Sequence, residues 1–217
     1  MVSSAEEPVD ATFNITRVVE LFSASLGDSE DDVELEPYVL AYRQLNKLFG
    51  VLGIIFKFVE KDVADKEGIL ARLLEKDGVS YRTVGSMLAH EVEPGKAPKD
   101  LGARTLLRLH RALEFVVLFV RRMHEMGAED SVSQVCRSCY EQTLAKHHGW
   151  LIRQSVSVAS RTLPTREYLV KEIFAHHEDG VSQEAIDKHA IEFDDVVSKV
   201  YSRVQELYAS KDLLNLP

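Results

Sequence analysis

The chain has 217 residues, 45% apolar and 28% charged, which suits one globular domain burying roughly 70% of its unfolded surface. Its formal charge of −9 would repel a polyphosphate and excludes nucleic acid as a partner. A local basic site is still allowed, because clustered arginines dominate within about one Debye length.

Residues 1–11 carry Glu6, Glu7 and Asp10 and lack the apolar run of a signal peptide, so a disordered segment is expected ahead of a single domain at 12–217. Ile15, Val18, Val19, Phe22 and Leu26 repeat at helical spacing, and Gly27 with the acidic run 28–32 ends that element. Pro37 opens a pattern periodic to about Leu74, with breaks or bends predicted near Gly50, Gly53 and Gly68. A short helix over about 80–92 precedes a loop rich in Pro and Gly at 93–99. The spacing then predicts helices over about 101–126 and 131–146, and a one-sided apolar stretch over 150–163. Pro164 marks a restart, and Phe193, Val197, Val200, Val204 and Leu207 define a long final helix.

No strand pattern or solenoid repeat is visible, so seven or eight helices with short connections give an all-α domain. No apolar run approaches the ~20 residues needed to cross a bilayer, and a soluble intracellular protein is expected. Cys136 and Cys139, three apart with no second pair, read as core filling rather than zinc or redox chemistry, and sparse cysteine fits a reducing compartment.

The chemistry concentrates on the helix over 101–126. Arg104, Arg108 and Arg111 fall at i, i+4 and i+7, within an arc of roughly 60°, and further along the same side lie Phe115, Leu118 and Phe119. The preceding long pattern is graded the other way, from Ile55, Phe58 and Val59 to Asp62 and Lys66. Packed antiparallel, the two would join charged end to charged end and make a polar recess opening onto a hydrocarbon slot. That shape suits a ligand with an anionic head and a long apolar body. The same pattern also fits solvated arginines over an aromatic core.

These two segments, with His147-His148-Gly149-Trp150, Ile152-Arg153 and Thr162-Leu163-Pro164-Thr165-Arg166 behind them, resemble the glycolipid transfer protein superfamily, and most of all its ceramide-1-phosphate transfer branch. The resemblance runs from about residue 13 to Pro217 and rests on five motifs in order. It implies a two-layer α-helical sandwich with a lipid between the layers. It also implies that Asp62 accepts from the sphingoid amide N–H, that His148 donates to the acyl-amide carbonyl, and that Lys66, Arg104 and Arg108 hold a phosphate. Glycolipid-binding relatives carry asparagine where Lys66 stands and a tryptophan platform where Arg104 stands; the only tryptophan here is Trp150. A phosphate head is therefore favoured over a sugar.

Arg111 is expected either to touch phosphate or to brace Asp62, and Lys61 and Arg153 to add to a basic rim. The chain pocket is expected from Phe49, Ile55, Phe58, Val59, Phe115, Leu118, Phe119, Ile152 and Val156. Trp150 suits a membrane contact at the headgroup level, the alternative being a partly buried core residue. The reading is a monomeric carrier of ceramide-1-phosphate, or a related phosphosphingolipid, without metal or cofactor. It would touch membranes such as Golgi or plasma membrane transiently from the cytosol. The competitors are glycosphingolipid transfer, a helical lipid sensor or adaptor regulating a protein partner, and an enzyme using His147-His148 and His176-His177. Neither histidine pair has the i, i+4 spacing of a zinc helix.

Overall fold

The structure is a computed structural model that describes residues 12–52, 56–92, 101–127, 130–174 and 181–216. The predicted disordered segment at 1–11, the whole Pro/Gly loop at 93–99, Ile55 and the pair His176-His177 lie outside those residues.

Among the described residues the regular structure is helical: α1 Ile15–Ser25, α2 Leu35–Asn46, the four-residue α3 Leu48–Val51, α4 Lys57–Lys76, α5 Val84–Glu91, α6 Gly102–Glu125, α7 Val132–Gln142, α8 Trp150–Ala159, α9 Arg166–Ile173 and α10 Gln183–Ala209. The one β-type contact is an isolated bridge between Glu34 and Thr83. The helices stack as a two-layer sandwich whose core joins α1, α2, α4, α5, α6 and α10.

Local chemistry sets the ends. The Asn14 side chain accepts from Arg17 N–H at 3.0 Å to start α1, and Gly27 at φ 50° turns the chain out of it, a conformation other residues resist. Thr83 and Ser86 form a reciprocal capping box on α5. Predicted and observed boundaries agree closely for α1 and α6, and the apolar repeat predicted for the final helix falls within α10. The expected break at Gly68 does not occur, since α4 runs unbroken from Lys57 to Lys76. A helix-interior glycine costs only about 1 kcal/mol, and the burial of Val63, Leu70 and Leu73 on the same helix offsets it.

Aromatic packing locks the middle of the bundle. Phe22 meets Tyr38 and Tyr42 edge-on at centroid distances of 5.8 and 6.0 Å. The His110 ring stacks on Tyr201 at 4.4 Å, and its Nε2 lies 2.7 Å from Gln205 Oε1, tying α6 to α10. Burial pushes the His110 pKa down to about 4, so this histidine is a neutral packing element. Cys136 and Cys139 are buried free thiols, and burial raises Cys136 to about 12, in keeping with core filling.

Candidate functional site

The first turn of α6 carries the cations and is held by contacts that hydropathy patterning does not reveal. Glu91, fully buried, accepts from Gly102 N–H at 2.9 Å, Ala103 N–H at 2.8 Å and the Tyr81 hydroxyl at 3.0 Å. One carboxylate thus satisfies two orphan donors and faces the positive end of the helix dipole. A Cβ on Gly102 would lie 2.4 Å from Glu91 Oε1, so the close approach requires glycine. The Tyr208 hydroxyl donates to Ala103 O at 2.7 Å and the Tyr42 hydroxyl to Leu109 O at 2.5 Å. Arg104 and Arg108 therefore project from a fixed segment.

Arg104 is half-buried, and its Nε is shielded from solvent with no hydrogen-bond partner among the described residues. A shielded donor left unmade costs about 1–3 kcal/mol, a deficit that an anionic acceptor would remove. Arg108, one turn on, is exposed.

Among the described residues Arg111 pairs with main chain rather than with Asp62. Its Nη2 donates to the carbonyls of Leu214 at 2.8 Å and Leu216 at 3.0 Å, so it braces the C-terminal segment rather than Asp62. Burial lowers its pKa, and the neighbouring charge of Arg108 lowers it further.

On α4, Lys66 Nζ sits 2.5 Å from Asp62 Oδ1 and 3.3 Å from Asp62 O. The lysine side chain is 14% exposed and the aspartate 68%, which puts the ammonium inside and the carboxylate at the rim. His148 follows the 3-10 turn Ala145–His147, and its Nδ1 lies 2.8 Å from the Tyr140 hydroxyl. Burial lowers the His148 pKa, opposed by Asp62 and reinforced by Lys66, so His148 is within electrostatic reach of both. His147 is lowered by burial and then by Arg111. The His147-His148 turn thereby joins the charged end of α4 to that of α6, which pack against each other.

At its other end α6 borders an apolar cavity of about 100 Å³, lined by Phe119 and Met123, by Leu48 and Leu52, and by Leu169 and Phe193. Of the predicted pocket wall, Phe119 lies here. Phe115 stacks on Phe119 at 5.6 Å, and Phe49 and Val59 are half-buried against the core. Leu118 and Val156 are half-buried away from the cavity, while Phe58 and Ile152 are 48% and 46% exposed and do not reach it. They face outward because α4 turns Val63, Leu70 and Leu73 inward instead, and α8 buries only Ala159.

The wall that patterning missed is α9, whose Leu169, Val170 and Ile173 recur at i, i+1 and i+4. Thr165 caps this helix by accepting from Tyr168 N–H at 3.3 Å, and Arg166 Nε donates to Met123 O at 3.0 Å, fastening α9 to the end of α6. Trp150 is 67% exposed and is no core residue; Leu151 at 71% stands beside it. Lys61 and Arg153 are exposed as well.

With this geometry in place, comparison with known proteins is decisive. The family profile for glycolipid transfer protein (GLTP) matches residues 33–175. The chain belongs to the glycolipid transfer protein family. A ceramide-1-phosphate transfer protein of Danio rerio is 35% identical over 214 residues, covering 94% of this chain and 98% of the relative. That of Homo sapiens is 34% identical over 215 residues, with 94% and 97% covered. The crystal structure of the human ceramide-1-phosphate transfer protein with 12:0 ceramide-1-phosphate superposes with a TM-score of 0.84 at 33% identity, covering 94% of this chain and 100% of that one. The all-helical two-layer arrangement predicted from the sequence is thus the fold of this glycolipid transfer protein family member. Among its described residues no group of three or more His, Cys, Asp or Glu could hold a metal, and no helix is long and apolar enough to cross a membrane.

Proposed function

We propose that this chain transfers ceramide-1-phosphate, or a closely related phosphosphingolipid, between membranes, one lipid at a time. The observation that carries the reading is the shielded Arg104 Nε, unpaired among the described residues, on a helix that presents Arg108 one turn on and packs against the helix that carries Asp62 and Lys66. A phosphate carries about −1.5 to −2 charges near neutral pH and matches two guanidinium forks and an ammonium. Lys66 would exchange its bond to Asp62 for phosphate, which frees the carboxylate to accept from an amide N–H. His148 would then read the amide carbonyl. Trp150, the chain's only tryptophan, is exposed on α8 and is no platform under a sugar in this recess.

Energetics give the carrier its purpose. Each methylene moved from bilayer to water costs about 0.8 kcal/mol, so a two-chain lipid with ~25–30 methylenes faces on the order of 20 kcal/mol. The apolar cavity beside α9 receives hydrocarbon in this reading. At about 100 Å³ it houses only part of a chain, so uptake widens it. Trp150, Leu151 and Ile152 would enter the headgroup layer of a donor membrane, with Lys61 and Arg153 nearby. No bond is made or broken. The unit is a monomer spanning residues 12–217 and works from the cytosol.

A vesicle-to-vesicle assay with ceramide-1-phosphate and glucosylceramide as cargoes tests this. Transfer of the phosphate-headed lipid alone is expected. Transfer of glucosylceramide at an equal or greater rate would overturn the assignment of the recess.

A further inference from the structure

We infer that Tyr140 is a positioning residue that holds His148 in the tautomer able to donate from Nε2 to the carbonyl of a bound lipid. The inference rests on the reading above, in which His148 meets the acyl-amide carbonyl.

The Tyr140 hydroxyl lies 2.8 Å from His148 Nδ1, with the two rings 5.7 Å apart at 33°. The tyrosine is 6% exposed and stands on the last turn of α7. That turn is itself held: Cys136 and Cys139, just ahead of Tyr140, are buried, and Thr143 Oγ1 donates to Cys139 O at 2.7 Å. The hydroxyl is therefore delivered to one place by packing. Burial raises its pKa, so it keeps its proton at neutral pH. Among the described residues that proton has one acceptor, His148 Nδ1.

A neutral imidazole carries its single proton on one nitrogen, and a hydrogen bond accepted at Nδ1 leaves it on Nε2. Burial lowers the His148 pKa, and Lys66 lowers it further, so the ring is neutral under the same conditions. The two tautomers present opposite chemistry to a ligand. Nε2–H donates to a carbonyl oxygen, whereas a bare Nε2 confronts it with a second lone pair. Asp62, by contrast, can only accept while ionised. The pair therefore reads an amide from both sides only if Tyr140 supplies the third proton of the set. A lipid with an ester in place of the amide offers no N–H to Asp62, so Asp62 carries the discrimination against it, while its carbonyl would still accept from Nε2–H.

The experiment compares the intact chain with Tyr140→Phe, which keeps the ring and deletes only the hydroxyl. Nitrogen-15 NMR of His148 reads the tautomer without lipid. Vesicle transfer of ceramide-1-phosphate reads the consequence for cargo. The parent chain should show protonated Nε2 and bare Nδ1. In Tyr140→Phe both nitrogens should shift toward averaged values, and ceramide-1-phosphate transfer should fall roughly tenfold. Circular dichroism establishes that the variant folds.

A parent chain with the proton on Nδ1 overturns the inference, as does a variant whose tautomer or ceramide-1-phosphate transfer is unchanged. His148→Ala separates the two levels. If it transfers ceramide-1-phosphate at the parent rate, the lipid contact of His148 is wrong, whatever NMR says of Tyr140.

Discussion

The two halves of α6 share one helix and differ in almost everything else. From Gly102 to Leu113, eight residues are fully buried, and the helix start is clamped by Glu91, Tyr208 and Tyr42. From Glu114 to Glu125 none is fully buried, and Phe119, Val120 and Met123 border open space. Tight packing holds directional donors to a fraction of an ångström, whereas loose packing lets a wall move. The contrast matches the two parts of a lipid: a headgroup recognised by direction, and chains recognised by nothing but being apolar.

The largest effect expected from breaking the recognition half comes from Asp62→Val. It should reduce ceramide-1-phosphate transfer by about a hundredfold or more while leaving the circular dichroism spectrum intact, because Asp62 is exposed and buries nothing. A variant that still transfers at the parent rate would remove Asp62 from the site. Next comes Arg104→Leu, which deletes a charge-assisted donor worth about 1.5–3 kcal/mol. Affinity for the phosphate-headed lipid should fall roughly 10- to 100-fold, and titration calorimetry with short-chain ceramide-1-phosphate would register the change.

Ala190→Phe probes the adaptable half by filling the cavity beside Phe193. Long-chain cargo should slow by about three- to tenfold and short-chain cargo far less, with an overpacking cost of roughly 1–3 kcal/mol visible in thermal melts. Equal slowing of both chain lengths would disconnect this cavity from hydrocarbon.

The smallest effect on transfer, and a clear one on stability, concerns Glu67. This residue is 5% exposed next to the recognition half, and burial raises its pKa to about 7 against the partial relief of Arg43. The folded value lies above the unfolded one. The protonated form is therefore the one that folding favours, fully below about pH 4.5, and that advantage is lost as pH rises through about 7. Glu67→Gln should raise stability at pH 8 by roughly 3 kcal/mol and flatten the pH dependence of urea midpoints between about 5 and 8. An unchanged pH profile would mean that the carboxylate finds a partner in solution.

Legibility in the sequence followed the same division. Helical periodicity located α6 to within a residue at each end, and the cationic stripe on it is where residue spacing put it. Charged groups advertise themselves, because their placement on one face has few explanations in a buried setting. The clamps did not. Glu91 stands eleven residues ahead of the amide it accepts from, and no period connects the two. Arg111 shared the stripe with Arg104 and Arg108, yet its partners are carbonyls more than a hundred residues away. The hydrocarbon wall was least legible. Apolar spacing says that Phe58, Ile152 and Leu169 lie on apolar faces, and nothing in that pattern says which face meets solvent, core or cavity.

Arg203 donates from one nitrogen to the carbonyls of Leu26 at 2.8 Å, Ser29 at 2.6 Å and Asp32 at 3.1 Å, joining α10 to the end of α1. α1 is made well before α10, so the part of its surface that α10 covers stays open until the later helix arrives, although α2 already packs on Phe22. Until α10 arrives the growing chain holds a sticky surface that chaperones must shield, and errors during synthesis should cluster in that interval.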